Sequence, residues 1–307
     1  MIYELPYRLF HLAAPLFAKT SIERSVIDAT FEGRQPARLF VDDARHPTAA
    51  LLCRTYEYYV AGDPVAAPGA PGVRRFIRDA PAEAGVFADL YGYAPLNDAW
   101  TRALLDDHRG GLVAIERRGF ALDAHADTVA SPNAGRPDGA AGGTGGPAPR
   151  RIDRPLAERI DREMQQYIKA SWGSYEAFID GGFGFCILVD DQLASVAFAI
   201  AASARHANVD VETAAPFRRR GLALLCCRAF IDHCREHGLT PLWEADDTNR
   251  ASRTLAHRLG FRQIAAYSQL TPPHGTKIPL SHGLWAAEAT LTGMTPGVTM
   301  WRRLTTS

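Results

Sequence analysis

The run Val211-Glu212-Thr213-Ala214-Ala215-Pro216-Phe217-Arg218-Arg219-Arg220-Gly221-Leu222-Ala223 constrains the fold of this chain more than any other feature. It passes from a strand pattern through a cationic turn straight into a helix pattern. The first backbone N–H groups of a helix have no partner inside it, and the helix dipole puts partial positive charge at the same end. A strand that enters a helix through a turn of three arginines therefore builds an anion site suited to phosphate. Gly221 belongs in such a turn, because a residue without Cβ accepts backbone angles and close approaches that others refuse.

The residues that follow extend the pattern. Leu222, Leu225, Cys226, Ala229 and Phe230 fall on one helical face, and the periodicity stops at Gly238 after His237. Leu239 to Ala245 is short and apolar with an early Pro241, as in a strand. Asp246 to Asn249 offers capping chemistry before a second helix, Arg250 to Leu259, closed by Gly260-Phe261. Upstream, Phe183 to Val189 and Gln192 to Ala201 flank Asp190-Asp191 and predict a hairpin, and His206 to Thr213 alternates as a third strand leading into the loop.

Two signatures in this order resemble the GNAT N-acetyltransferase superfamily. Arg218-x-x-Gly221-x-Ala223 is similar to its pyrophosphate loop, and Asn249-x-x-Ser252-x-x-Leu255 through Gly260-Phe261 to its second motif, whose Asn holds the pantetheine or pyrophosphate arm. Trp172 to Phe178, Gly182 to Cys186, Val211 to Thr213 and Pro241 to Glu244 further resemble the branch typified by the zwittermicin A resistance acetyltransferase. The resemblance implies a mixed α/β (α+β) fold, with a mixed central sheet and helices on both faces. It also implies acetyl-CoA as co-substrate and an amine as acceptor. The donor would be held by Glu212, Thr213, Arg218, Arg219, Arg220, Gly221, Leu222, Ala223, Asn249 and Ser252, with no metal.

Length and composition set the frame. A chain of 307 residues suggests about two domains. Lys plus Arg equals Asp plus Glu, 34 against 34, so no global charge favours nucleic acid or an anionic membrane. No apolar run approaches the ~20 residues of a membrane span, and Glu4, Arg8 and His11 make the start a poor secretion signal, so the cytoplasm is expected. The five cysteines, Cys53, Cys186, Cys226, Cys227 and Cys234, sit inside apolar patterns and read as buried thiols.

Residues 131–150 are nearly all Gly, Ala, Pro and small polar groups and read as a flexible linker. The expected domains are 1–130, mixed α/β; 151–270, the acetyltransferase; and 271–307, an extension packing Trp285, Met300 and Trp301 on the body. In the first domain Tyr7 to Ala18 and Asn97 to Asp107 read as helices, and Ala37 to Val41 and Ala49 to Val60 as strands. It carries no phosphate loop and no convincing internal repeat, which favours a substrate-covering or dimerising domain over a degenerate copy of the same fold.

Acetyl transfer needs an uncharged amine, a base, donors for a developing oxyanion and a source of protons for the departing thiolate. The superfamily takes the oxyanion donor from backbone on the strand feeding the loop, which matches Thr213, with Glu212 beside it. Glu212 and Asp210 share a strand face and are the base candidates, Glu212 first, with His206 a third. The superfamily's proton-donating Tyr is replaced by Ala256, which leaves Tyr267 as the candidate acid or no dedicated acid at all.

Trp243 and Glu244 stand where an acceptor cleft would open, with Trp243 equally readable as core. His233 and His237 lie four apart on the helix after the loop, with Cys226 and Phe230 on the same stripe, and read as a core-to-boundary face rather than a metal site. The expected acceptor is a small amine, such as an amino-bearing antibiotic. A protein acceptor, a coenzyme A binding scaffold without chemistry, and a homodimer are left open.

Overall fold

A computed structural model of the chain describes residues 2–18, 23–54, 57–84, 89–92, 97–108, 111–122, 147–271 and 303–304. Most of the expected linker and tail, Trp285, Met300 and Trp301 included, lie outside the described residues. Two compact units emerge, Met1–Arg118 with Ala265–Ser307, and Gly119–Ile264.

Unit 1 begins with β1 (Ile2–Leu5), a 3-10 helix (Tyr7–Leu12), α1 (Ala14–Phe17) and α2 (Arg24–Phe31). The single helix expected over Tyr7 to Ala18 is broken in two, because Pro15 has no N–H and its ring collides with the carbonyl four residues back in a continuing helix. Then follow β2 (Arg38–Val41), β3 (Ala49–Cys53), β4 (Glu57–Gly62), α3 (Ala70–Ala84), β5 (Asp89–Gly92), α4 (Asn97–His108) and β6 (Val113–Ala121). Its core gathers Phe40, Leu51, Val60, Val73, Ile77 and Trp100, and the Trp100 indole N–H is satisfied by the Gly62 carbonyl at 2.8 Å.

Unit 2 contains β7 (Arg150–Arg151), α5 (Arg154–Met164), α6 (Ile168–Trp172), α7 (Tyr175–Gly181), β8 (Gly184–Val189), β9 (Gln192–Ala202) and β10 (His206–Thr213). It continues through α8 (Leu222–Glu236), β11 (Thr240–Asp246) and α9 (Arg250–Arg258) to the start of β12 (Arg262–Thr271). The β8–β9 hairpin turns on Asp190 and Asp191 with φ 49° and 61°, the pair of left-handed residues that matches strand twist in a two-residue turn. Asp153 caps α5, Ser174 caps α7 and Asn249 caps α9 through side-chain oxygens, while Gly238 and Gly260 follow α8 and α9 at positive φ.

Both units lay their strands down in one pattern. In unit 1 the order runs β1-β2-β3-β4-β5-β12, with antiparallel neighbours until β4 and β5, which pair parallel. In unit 2 it runs β7-β8-β9-β10-β11-β6, antiparallel until β10 and β11, again parallel. Helices fall at matching places, α3 and α8 between the parallel strands and α4 and α9 after them. Each unit is closed by a strand that follows the other unit's last helix, since β12 follows α9 but pairs with β5, and the end of β6 reaches β11, where Leu122 N–H donates to the Pro241 carbonyl at 3.1 Å.

The N-terminal part is therefore a second copy of the same topology, contrary to the preference for an unrelated cover. The exchange of β6 and β12 also moves the unit boundaries away from 131–150, to 118/119 and 264/265. Composition marks where a chain can be loose, whereas pairing decides where one unit ends.

The copies differ at the loop. After β4, Asp63 turns its own carboxylate onto the Val65 and Ala66 N–H groups, both at 2.8 Å, so an acidic side chain closes the turn that leads to α3. Those backbone bonds hold its carboxyl below the usual range. The corresponding loop of unit 2 is cationic.

Candidate functional site

Strands β10 and β11 pair only at their beginnings, His206–Asn208 against Thr240–Leu242, and a bulge follows between Asn208 and Val209. Beyond it β10 stays on β9 as far as Thr213 against Ser195, so the two parallel strands part at their C-terminal ends. Backbone N–H directions alternate along a strand. Ala214 N–H donates to Ala194 on β9 at 3.0 Å, so the Thr213 N–H points the other way, into the gap left by β11. That is the direction an oxyanion donor needs.

Two carboxylates stand at the same end. Asp210 pairs across from Phe198 and Glu212 from Val196, and cross-strand partners share a face, so both project on the side where Phe198 meets Phe178 of α7. Both are half-buried. The one-face placement expected for them holds. Glu212 is also held by Arg218, whose NH2 lies 3.1 Å from Oε1 and whose Nε donates to the Thr213 carbonyl at 3.0 Å. This arginine is folded back over the strand end while staying exposed, as Arg219 and Arg220 are, and Arg220 lies over the Phe217 ring at 5.4 Å.

Beneath the strand end lies Ser195, fully buried on β9, a residue that sequence reasoning missed. Its Oγ donates to the Glu212 carbonyl at 3.2 Å and is 2.8 Å from Thr213 Oγ1. The signal was present as one hydroxyl inside an otherwise apolar strand, but its partners became visible only with the β9–β10 register.

The loop itself combines a 3-10 turn (Ala215–Phe217), Arg219 at φ 61° and Gly221 at φ 78°. Gly221 is the N-cap of α8 with no side-chain cap, no acidic residue stands in the first turn, and a Cβ built on Gly221 would meet nothing within 4 Å. The first turn of this 15-residue helix thus starts without a side-chain cap or an acidic neighbour and next to three arginines, an arrangement that favours an anion. Leu222 is buried beneath the loop and Ala223 half-buried.

On the other side of the gap, Asn249 Oδ1 accepts Ser252 N–H at 3.0 Å, so the acceptor of this amide is committed to capping α9 and its Nδ2 is the donor end. Ser252 Oγ accepts the Trp243 indole N–H at 2.9 Å, which fixes that ring and leaves the Ser252 O–H as a donor. Trp243 is core: it is buried edge-on to Phe261, with centroids 5.5 Å apart. Burying such a ring removes ~150–250 Å² from water, worth roughly 4–6 kcal/mol at ~25 cal/mol per Å² as an upper figure. Glu244 is half-buried beside it.

Ala256 is completely buried, so α9 offers no proton donor there. Tyr267 falls in unit 1, buried, with its hydroxyl donating to Glu23 Oε1 at 3.3 Å. All five cysteines are buried free thiols. Burial pushes Cys186 up to about 11 and Cys226 up to about 12, which keeps them protonated and out of nucleophilic chemistry.

The sequence profile of GNAT acetyltransferases matches residues 14–270, across both copies of the topology. The chain belongs to the GNAT acetyltransferase family. It is 25% identical over 247 residues to YdfB, an uncharacterised N-acetyltransferase of Bacillus subtilis (strain 168), an alignment covering 80% of this chain and 87% of that protein. Among solved structures it is similar to a GNAT-like protein of Streptococcus suis 89/1591, at 23% identity and a TM-score of 0.65, over 86% of this chain and 98% of the other. A tandem GNAT protein from the clavulanic acid biosynthesis pathway aligns over 90% and 99% of the two chains, with 13% identity and a TM-score of 0.54. This GNAT chain is accordingly an N-acetyltransferase of α/β fold. The zwittermicin A branch is not among these relatives. No helix among its described residues is long and apolar enough to cross a membrane.

Proposed function

We propose that this GNAT chain transfers the acetyl group of acetyl-CoA to the amine of a small molecule, working from unit 2 alone. The observation that carries the reading is the parting of β10 from β11, which leaves the Thr213 N–H, Glu212 and Asp210 at one opening beside the uncapped start of α8. The α8 amides with Arg219 and Arg220 would hold the pyrophosphate, and Asn249 Nδ2 the pantetheine arm. Acetyl-CoA supplies the activated acetyl group. Thr213 N–H orients the acetyl carbonyl by donating to its oxygen.

Glu212 takes the proton of the incoming ammonium at Oε1 or Oε2, directly or through water, which makes the amine nucleophilic. Asp210, two residues back on the same face, draws the cationic amine towards that carboxylate. Ser195 fixes the backbone that carries both Glu212 and Thr213. With Ala256 in place of a tyrosine, the departing thiolate takes its proton from water. Unit 1, where Asp63 fills the matching loop, binds no second donor.

The experiment is free-thiol release from acetyl-CoA over a panel of small amines, aminoglycosides and aminopolyols among them, with N-terminal and lysine peptides in parallel. Turnover with small amines and not with peptides is expected. Tight acetyl-CoA binding without thiol release for any amine would overturn the catalytic assignment, and turnover confined to peptides would overturn the small-molecule acceptor.

A further inference from the structure

The far end of α8 carries a group of side chains that acetyl transfer does not use. His233, Glu236 and His237 stand at i, i+3 and i+4, so they project from one side of the last helical turn. Each offers a ligand atom, and these atoms all lie within 4.8 Å of one another. The sequence pattern showed only the histidine pair; the third donor is Glu236, on the same turn. Of the two other residues on that stripe, Cys226 and Phe230 are buried in the core, and Cys234, between the ligands, is buried too.

Two of the three groups are already oriented. His237 Nδ1 lies 2.8 Å from the His233 carbonyl, a contact in which the ring must donate, so Nε2 carries the lone pair outward. A backbone carbonyl holding one ring nitrogen while the other faces a cation is the usual support for a metal-binding histidine. The His233 ring is braced on Phe183 with centroids 4.2 Å apart and on Phe185 at 6.0 Å, and the two imidazoles lie against each other at 3.9 Å. Glu236 is exposed and can close by up to roughly 1.5 Å, the difference between 4.8 Å and the ~3.3 Å spacing of ligands around a tetrahedral cation, while His237 reaches that spacing by a small turn about its carbonyl-held ring. The carboxyl end of a helix dipole favours positive charge.

Among the described residues Arg151 on β7 opposes the site: its guanidinium donates to His233 Nδ1 at 3.4 Å, and that bond must open before either ring nitrogen offers a lone pair to a cation. Asp232 and Arg235, the other charges on this turn, are paired with each other at 3.3 Å.

We propose that His233, Glu236 and His237 bind one divalent first-row transition ion, of which Zn²⁺ is the type, at the C-terminal end of α8. Two imidazoles and one carboxylate select Zn²⁺, Ni²⁺ or Cu²⁺ over Mg²⁺ or Ca²⁺, which prefer all-oxygen sites. The site lies about 21 Å along α8 from the phosphate loop at 1.5 Å per residue, too far to touch the acetyl group. Its effect is to clamp the last turn of the helix whose first turn faces the donor.

The test uses the full chain without an affinity tag, stripped of metal and titrated calorimetrically with ZnCl₂, with Co²⁺ absorption as a second readout. One ion per chain is expected, with Mg²⁺ failing to compete. His237→Ala and Glu236→Gln, both at exposed positions and so compatible with folding, should each weaken Zn²⁺ binding by at least about tenfold. Arg151→Gln should tighten it by removing the opposing charge. Zn²⁺ should also raise the unfolding temperature of the parent and not of His237→Ala. Absence of stoichiometric binding, or binding that survives both ligand substitutions and so resides on the thiols or elsewhere, overturns the site.

Discussion

Gly221 offers the sharpest test of how the loop works, because strain and space can be separated there. Its backbone sits at φ 78° and ψ 3°, the left-handed region, while a Cβ at this position would meet nothing within 4 Å. Replacing it by alanine therefore introduces no collision. The penalty is conformational, about 1–2 kcal/mol for an ordinary side chain held left-handed. If the loop must keep this geometry to aim the first amides of α8 at a pyrophosphate, that energy is taken from donor binding. The acetyl-CoA Kd then rises about five- to thirtyfold.

Asparagine tolerates left-handed angles far better and should change the Kd by less than about threefold, whereas valine, branched at Cβ, should exceed alanine. Calorimetric titration of the three variants with acetyl-CoA measures this order, and kcat at saturating donor should stay within about twofold of the parent, since the loop holds the donor before and during transfer alike. An unchanged Kd in Gly221→Ala would refute the placement of the donor at α8. Equal losses in the asparagine and valine variants would refute strain as the cause and point to side-chain bulk in the donor's path.

Further outcomes follow from the strand end and the core. Glu212→Gln should lower kcat by about 10²- to 10⁴-fold while acetyl-CoA binding persists, and Asp210→Asn should chiefly raise the amine KM; equal, small effects in both would remove Glu212 as base. The buried thiols make an alkaline prediction: unfolded thiols ionise near 9 while Cys186 and Cys226 hold their protons to about 11 and about 12, so above pH 9 the unfolded state binds fewer protons than the native one. Stability is then full below pH 9 and lost as pH rises towards 12, which urea midpoints at pH 8 and pH 10 would register. Thiol reagent should label the native chain slowly and five cysteines after denaturation, and rapid native labelling would contradict their burial.

The sequence by itself determined what local chemistry can determine. The cap by Asn249, the two-residue turn at Asp190-Asp191, the glycine after α8 and the strand–loop–helix around Gly221 each draw their hydrogen bonds from residues a few positions away, so pattern and propensity suffice to place them. The shared face of Asp210 and Glu212 likewise follows from strand alternation alone.

Tertiary structure decided whatever depends on partners far along the chain. The duplication of the fold is written in strand order, and its sequence trace is obscured because the unit 1 loop carries Asp63 and no arginine triplet, while β6 and β12 each close the unit other than the one whose last helix they follow. Ser195 under the strand end, Arg218 folded onto Glu212 and Tyr267 drawn to Glu23 are contacts spanning 17, 6 and 244 residues, and none of them follows from a local reading of the motif. Even the short Arg218 contact needed the fold. Whether a loop arginine faces solvent, phosphate or its own strand is set by the left-handed bend at Arg219 and Gly221, and by the gap that opens when β11 leaves β10.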